Sequence, residues 1–258
     1  MFKWLKPARP GRAHGPDSVR MLAERAEQCA AQDRLDEAIE AYGEALSLRP
    51  DYAELHANLG ALHRRKGNSG PAEACYREAI RLRPDFHVPH FNLGNLLREQ
   101  RRLAEAEAGY RAALACKPDV AAIHHNLGEV LRDQGRFGEA MACYKRALLV
   151  APEYQPSRWH RTLLALLTGD FRQGLAEYGY RWKLAGAEQP RDFVQPLWLG
   201  DGDPSGRTIL LHAEKGFGDT IQFVRYVDRV AALGARVVLE VPAPLMPLMA
   251  SYPAAAQW

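Results

Sequence analysis

The chain has 258 residues, is 47% hydrophobic and 25% charged, and carries a net charge of +3 from 34 basic and 31 acidic side chains. That balance gives no electrostatic case for a nucleic acid partner. No apolar run approaches the ~18 residues that a membrane-spanning helix needs. The four cysteines, Cys29, Cys75, Cys116 and Cys143, contain no C-x-x-C pair. Zinc spacing is therefore missing, no metal or cofactor is expected in this chain, and free thiols in a reducing cytoplasm fit best.

Residues 1–18 hold Lys3, Lys6, Arg9 and Arg12 but no apolar stretch of the kind a secretory signal needs. They read as a disordered basic tail, in which Phe2, Trp4 and Leu5 could touch an acidic membrane surface. Beyond it a repeat begins. Prolines stand at Pro50, Pro84, Pro118 and Pro152, each 34 residues from the last. Leu59-Gly60, Leu93-Gly94 and Leu127-Gly128 keep the same register, as do Ala38 and Tyr42, Ala72 and Tyr76, Ala106 and Tyr110, and Ala140 and Tyr144. This period and pattern resemble the tetratricopeptide repeat, a pair of helices that stacks into a superhelix.

The units are 19–52, 53–86, 87–120 and 121–154, with a degenerate fifth at 155–183, where Arg161-Thr162 replaces Leu-Gly. The small residues let two helices approach, and the tyrosines fill the gap between repeats. Each proline lies just past a helix it cannot continue. Asp51, Asp85 and Asp119 can cap the next helix, and with Glu153 they place negative charge at its N-terminus. Cys75 and Cys143 share one position two repeats apart, too distant to bridge.

The resemblance implies that the first helix of each repeat lines a concave face. Three types recur there: Asn58, Asn92 and Asn126; Arg64, Arg98 and Arg132; His56, His90 and His124. A carboxamide can donate to and accept from a peptide backbone at once, so the asparagines could hold an extended chain. They resemble the asparagine ladder of O-linked N-acetylglucosamine transferase, although Glu24 and His160 interrupt it. Asparagine before Leu-Gly is equally ordinary repeat consensus. The arginines could take acidic side chains or phosphate, or simply pair with Glu99 or Asp133. The histidines stand where this repeat often has tryptophan and read as packed rings rather than metal ligands. His124 and His125 are adjacent on one helix and do not share a face.

After Lys183 the pattern stops. Residues 184–207, with Pro190, Pro196 and Pro204, read as a linker. Thr208 to Ala213 is a short apolar strand, followed by Gly216-Phe217-Gly218-Asp219-Thr220, a helix from about Thr220 to Leu233 with Ile221, Val224, Val227 and Val230 on one face, and a second strand at Arg236–Glu240. Gly234 ends the helix. Strand, glycine loop, helix and strand make the opening of a Rossmann-like parallel α/β sheet. Gly216, Gly218 and Thr220 suit a phosphate or acceptor loop. Ile221 occupies the third glycine position of the dinucleotide fingerprint, which disfavours a nicotinamide cofactor.

The segment His212 to Tyr226, together with Gly169-Asp170-Phe171, Tyr178, Arg181 and Trp182, resembles bacterial repeat proteins with a heptosyltransferase-like domain of the glycosyltransferase B type. Lys215 departs from the glutamine more usual there. The resemblance implies a sugar nucleotide in full-length relatives and makes Asp219 a catalytic base; a helix N-cap is the plainer role for it. His212 and Glu214 are weaker candidates. Residues 208–258 are too few for even one half of such a fold, so the chain reads as truncated and catalytically incomplete. Two functions are expected from the whole: a repeat module recruiting a protein acceptor for a transferase domain, or a protein-binding scaffold without transferase activity.

Overall fold

The computed structural model describes residues 16–179, 194–196, 198, 200–213 and 217–249. The basic tail up to Gly15, half of the expected linker, Arg181, Trp182, Glu214, Lys215 and Gly216 lie outside them. The chain divides into two compact units, Met1–Gln189 and Pro190–Trp258.

The first unit is a run of helical hairpins. Helices α1 (Pro16–Ala31) and α2 (Leu35–Leu48) form the first pair, α3 (Ala53–Arg65) and α4 (Ser69–Leu82) the second, α5 (His87–Glu99) and α6 (Leu103–Cys116) the third. Helices α7 (Ala121–Asp133) and α8 (Phe137–Val150) form the fourth, α9 (Gln155–Leu167) and α10 (Phe171–Tyr178) the fifth. Each helix packs on its sequence neighbours, and α5 also touches α3 and α7, so the first helices of successive repeats meet directly. The first helix begins at Pro16, inside the segment expected to be tail.

The repeat glycines set the helix spacing. A Cβ on Gly60, Gly94 or Gly128 would lie 2.7, 2.8 or 2.6 Å from the Cε1 of Tyr76, Tyr110 or Tyr144. Each tyrosine ring therefore rests on the glycine of its own repeat, and all three are fully buried. In the fifth repeat Thr162 stands at the glycine position and excludes the ring. Tyr178 packs on Trp159 instead, with ring centroids 5.7 Å apart. Thr162 and Arg161 both bond Glu177, at 3.1 and 2.6 Å.

Gly94→Ala is expected to cost up to about 2 kcal/mol: overpacking against Tyr110, typically ~1–3 kcal/mol, is offset in part by the ~1 kcal/mol gain in helix propensity. Gly43 lies inside α2 with nothing within 4 Å of a new Cβ. Gly43→Ala should therefore stabilise by about 0.5–1 kcal/mol. Urea unfolding of the two variants checks the opposite signs.

Two turn features also repeat. Asp33, Gly67, Arg101, Gly135 and Gly169, spaced 34 residues apart, all adopt positive φ between the two helices of a hairpin. The aspartates do not cap. The first-helix N-caps are Tyr52, Phe86, Val120 and Tyr154, none with a side-chain cap bond, which puts Asp51, Asp85 and Asp119 one residue too early. The histidines tie this turn instead. Nε2 of His56, His90 and His124 lies 2.8, 2.9 and 2.8 Å from the carbonyl oxygen of Pro50, Pro84 and Pro118. Arg158 makes the equivalent bond to Pro152 at 3.0 Å. One cap does form where an aspartate precedes its helix directly: Asp170 accepts from the Gln173 amide at 3.1 Å.

Arginines staple repeat to repeat. Arg102 reaches both Glu105 and Glu73, and Arg136 reaches both Glu139 and Glu107. Glu107 is buried, with Arg136 and Gln134 at 2.7 and 3.0 Å. Burial alone would raise its pKa, but these bonds and Arg111 more than offset it and hold the carboxyl below its usual range. The cysteines are free. Burial pushes the Cys75 and Cys143 thiols up to about 11, which leaves them unreactive at neutral pH.

The second unit holds strands β1 (Thr208–His212) and β2 (Arg236–Glu240), paired in parallel with Thr208 opposite Arg236 and His212 opposite Glu240. They are joined through α11 (Phe217–Phe223) and α12 (Tyr226–Ala232). The single expected helix is thus two short ones, broken before Tyr226. Val227, Val237 and Leu239 form a small core with Val224, Val230 and Leu211 against it, while Ile221 is 46% exposed and off the packed face. Gly234 adopts φ +84° at the end of α12, and a Cβ there would meet Ser205 Oγ at 2.8 Å. A 3-10 turn (Ala243–Leu245) and α13 (Met246–Met249) follow. Among the described residues the sheet has these two strands, short of a complete Rossmann fold.

Candidate interaction face

The first helices α3, α5 and α7 carry the recurring polar residues. Their 34-residue spacing puts Asn58, Asn92 and Asn126 at one register and Arg64, Arg98 and Arg132 six residues further on. The structure engages them unequally. Asn58 Nδ2 donates to Tyr42 Oη at 3.2 Å. Asn126 Nδ2 donates to Asn95 Oδ1 at 2.7 Å, and the same oxygen accepts from Tyr110 Oη at 2.8 Å. Asn92 makes no side-chain hydrogen bond among the described residues.

The arginines divide in the same way. Arg64 bonds Glu99 at 2.7 Å and so ties α3 to α5. Arg132 bonds Glu129 at 3.1 Å and Asp133 at 2.9 Å. Arg98 is half-buried and has no ion pair among the described residues; its charge acts on Tyr110, His125 and His160. The middle of the face therefore presents one free carboxamide and one free guanidinium, six residues apart on α5.

The buried tyrosine hydroxyls close this face from below. Tyr110 is pushed up to about 12, chiefly by desolvation, with Arg98 and Asn126 acting the other way. Tyr144 Oη donates to Glu129 Oε1 at 2.6 Å. Tyr76 has no such acceptor: the position of Asn95 and Glu129 is Ala61 in its repeat, and its buried hydroxyl lies near Arg64 instead, which opposes the rise in pKa that burial causes.

One cluster was not anticipated from sequence. His125, Glu129 and His160 each offer a ligand-type atom, all within 4.8 Å of one another. His125 and Glu129 are buried, and the two imidazoles stack at 5.1 Å with 19° between planes. His125 Nδ1 lies 3.1 Å from Ser157 Oγ, and His160 Nδ1 lies 3.3 Å from Glu129 Oε1. Burial, helped by His160, Arg98 and Arg132, lowers His125 to about 4 against the opposing pull of Glu129. Burial lowers His160 as well. Two signals were present: His125 and Glu129 are four apart on one helix, and His160 lies 34 residues after Asn126, where the asparagine ladder ends.

The remaining candidates fall in the second unit. Gly218 and Asp219 lie in the first turn of α11, not at its N-cap, and the Asp219 side chain is outside the described atoms. Thr220 is half-buried and already has a partner. Gly216 lies outside the described residues.

A stack of helical hairpins with its free polar groups on the first helices is the architecture of an interaction repeat. The particular repeat is the tetratricopeptide: TPR repeat matches residues 26–67, and Tetratricopeptide repeat matches 59–121 and 91–158. Residues 26–158 of this chain are tetratricopeptide repeats. No curated protein matches the chain. Among solved structures, MamA residues 41-end from Desulfovibrio magneticus RS-1 is 16% identical with TM-score 0.58, covering 63% of this chain and 92% of that one. Another MamA structure is 19% identical with TM-score 0.58, covering 67% and 99%. A structure of pilF from Pseudomonas aeruginosa is 18% identical with TM-score 0.59, covering 63% and 74%. At these identities the likeness is one of fold. No helix among the described residues is long and apolar enough to cross a membrane.

Proposed function

We propose that this chain is a protein-binding scaffold whose first-helix face takes an extended segment of a partner protein, centred on Asn92 and Arg98. The supporting observation is the inequality just described. Asn58 and Asn126 each spend one amide hydrogen, and Arg64 and Arg132 their charges, on the protein itself. Asn92 and Arg98 spend neither. A carboxamide that can bond a peptide unit, with an uncompensated guanidinium six residues further along the same helix, fits an extended backbone segment with an acidic side chain. A reducing cytoplasm suits the free cysteines.

The test selects peptides from a displayed random library on the intact chain. Selected peptides are expected to carry Asp or Glu, to bind more weakly at high salt, and to lose about tenfold or more in affinity on Arg98→Ala. Asn92→Ala should weaken them too, with the melting temperature unchanged in both variants. Equal binding by both variants would refute the placement.

A second reading adds transferase chemistry. It is supported by the parallel strand–helix–helix–strand order of the second unit and by the resemblance of the His212–Tyr226 segment to heptosyltransferases. The repeat matches end at residue 158, so the scaffold reading has the broader support. Sugar-nucleotide turnover by a full-length relative separates the two: activity abolished by the change corresponding to Asp219→Ala favours the transferase, and activity retained in that variant removes Asp219 as its base.

A further inference from the structure

The polar cluster joining α7 to α9 has the composition of a metal site. His125 and Glu129 are one helical turn apart on α7, and His160 comes across from α9. One nitrogen or oxygen from each lies within 4.8 Å of the others. We propose that His125, Glu129 and His160 bind a single transition-metal ion of the zinc class, pinning the degenerate fifth repeat to the fourth.

Three features of the geometry carry this. Ser157 is fully buried, and its Oγ lies 3.1 Å from His125 Nδ1. The tautomer that donates from Nδ1 to this oxygen leaves Nε2 with a free lone pair, the outer-sphere arrangement that orients metal-bound histidines. His160 Nδ1 is buried, and although it approaches Glu129 it makes no properly formed hydrogen bond. The His160 side chain is 27% exposed, which leaves a path from solvent and room to turn out of the stacked arrangement. Two imidazoles and a carboxylate, with one position open, is a common donor set for zinc.

The charges around the cluster choose among metals. Arg132 contacts Glu129 and would have to release it. It keeps Asp133 at 2.9 Å, so its charge is not left unpaired. The Tyr144 hydroxyl can go on donating to a ligating carboxylate. Arg98 and Arg132 both act on the two imidazoles. An ion bound mainly by charge, such as calcium or magnesium, gains little beside two guanidiniums and has too few oxygens here. An ion with strong bonds to nitrogen is the one that fits.

The experiment titrates the full chain with zinc chloride by calorimetry and with cobalt(II) by absorbance. One ion per chain is expected, with only weak ligand-field bands from cobalt and none of the intense near-ultraviolet absorption that thiolates give. His160→Gln, at a half-exposed position, should weaken zinc by about tenfold or more, and Ser157→Ala by about tenfold. Circular dichroism checks that each variant is folded; Glu129→Gln, which keeps the side-chain shape, gives a second ligand variant. Absence of zinc binding, thiolate bands, or unchanged affinity in both ligand variants would overturn the assignment. Zinc affinity that persists in Arg98→Ala while peptide binding is lost distinguishes this site from the peptide face.

Discussion

Tyr110→Ala is expected to lower the unfolding free energy of the repeat unit by about 3–5 kcal/mol, a large fraction of what a domain has to spare. The ring is fully buried in a core shared with Leu93, Leu96, Leu97, Ile123 and Leu127. It rests on Gly94 and tilts against Phe91 at 5.9 Å between centroids. Gly94, on which the ring rests, has no side chain to fill the space the ring leaves. Tyr110→Phe removes only the hydroxyl. Asn95 Oδ1 then keeps Asn126 as donor, so the cost should be about 1 kcal/mol. Urea unfolding of both variants separates packing from hydrogen bonding. A loss as large for Phe as for Ala would show that the hydroxyl network dominates.

Acid should weaken the fourth repeat through His125. The groups facing it are Glu129 and Arg132 on α7, Arg98 on α5, Tyr144 on α8, Tyr154 before α9, and Ser157 and His160 on α9. Its folded pKa is about 4, against an ordinary value of 6.5. The unfolded chain therefore binds the proton first. Stability is fully present above pH 6.5 and is lost as pH falls from 6.5 towards 4. The loss from this group is about 2–3 kcal/mol. Melting temperatures of the metal-free chain at pH 7 and pH 4.5 read the total effect, to which Glu107 adds only at lower pH because its pKa is lowered. His125→Gln should flatten the dependence between pH 6.5 and 4.5. An unchanged slope in that variant would assign the effect elsewhere.

The repeat architecture was legible because a 34-residue period fixes many positions at once. Pro50, Gly60, Ala72 and Tyr76 each name a place in one hairpin, and the copies confirm the register. The function of each polar residue was less legible, because identical residues at identical register have different neighbours. Asn58, Asn92 and Asn126 look alike in sequence. What separates them is position 95, asparagine in the third repeat where the second has Ala61. The aspartates after each proline were read as caps from their type, but helix starts one residue later removed that role. The histidines were read as packed rings, and their six-residue reach back to a proline carbonyl is a tertiary fact that spacing alone does not show. In the second unit, short continuous apolar runs located both strands, while the break before Tyr226 left no comparable signal.

The buried core of the repeats is partitioned unevenly. One cluster gathers Val19, Tyr42, Leu55 and Leu62 from α1, α2 and α3; the other runs from Ala72 on α4 through Tyr76, Tyr110 and Tyr144 to Leu164 on α9. The two clusters meet inside the second repeat, whose helices are held together by Tyr76 resting on Gly60. Partial opening of the N-terminal block therefore pulls against the α3–α4 packing, so the second repeat couples the two blocks rather than dividing them.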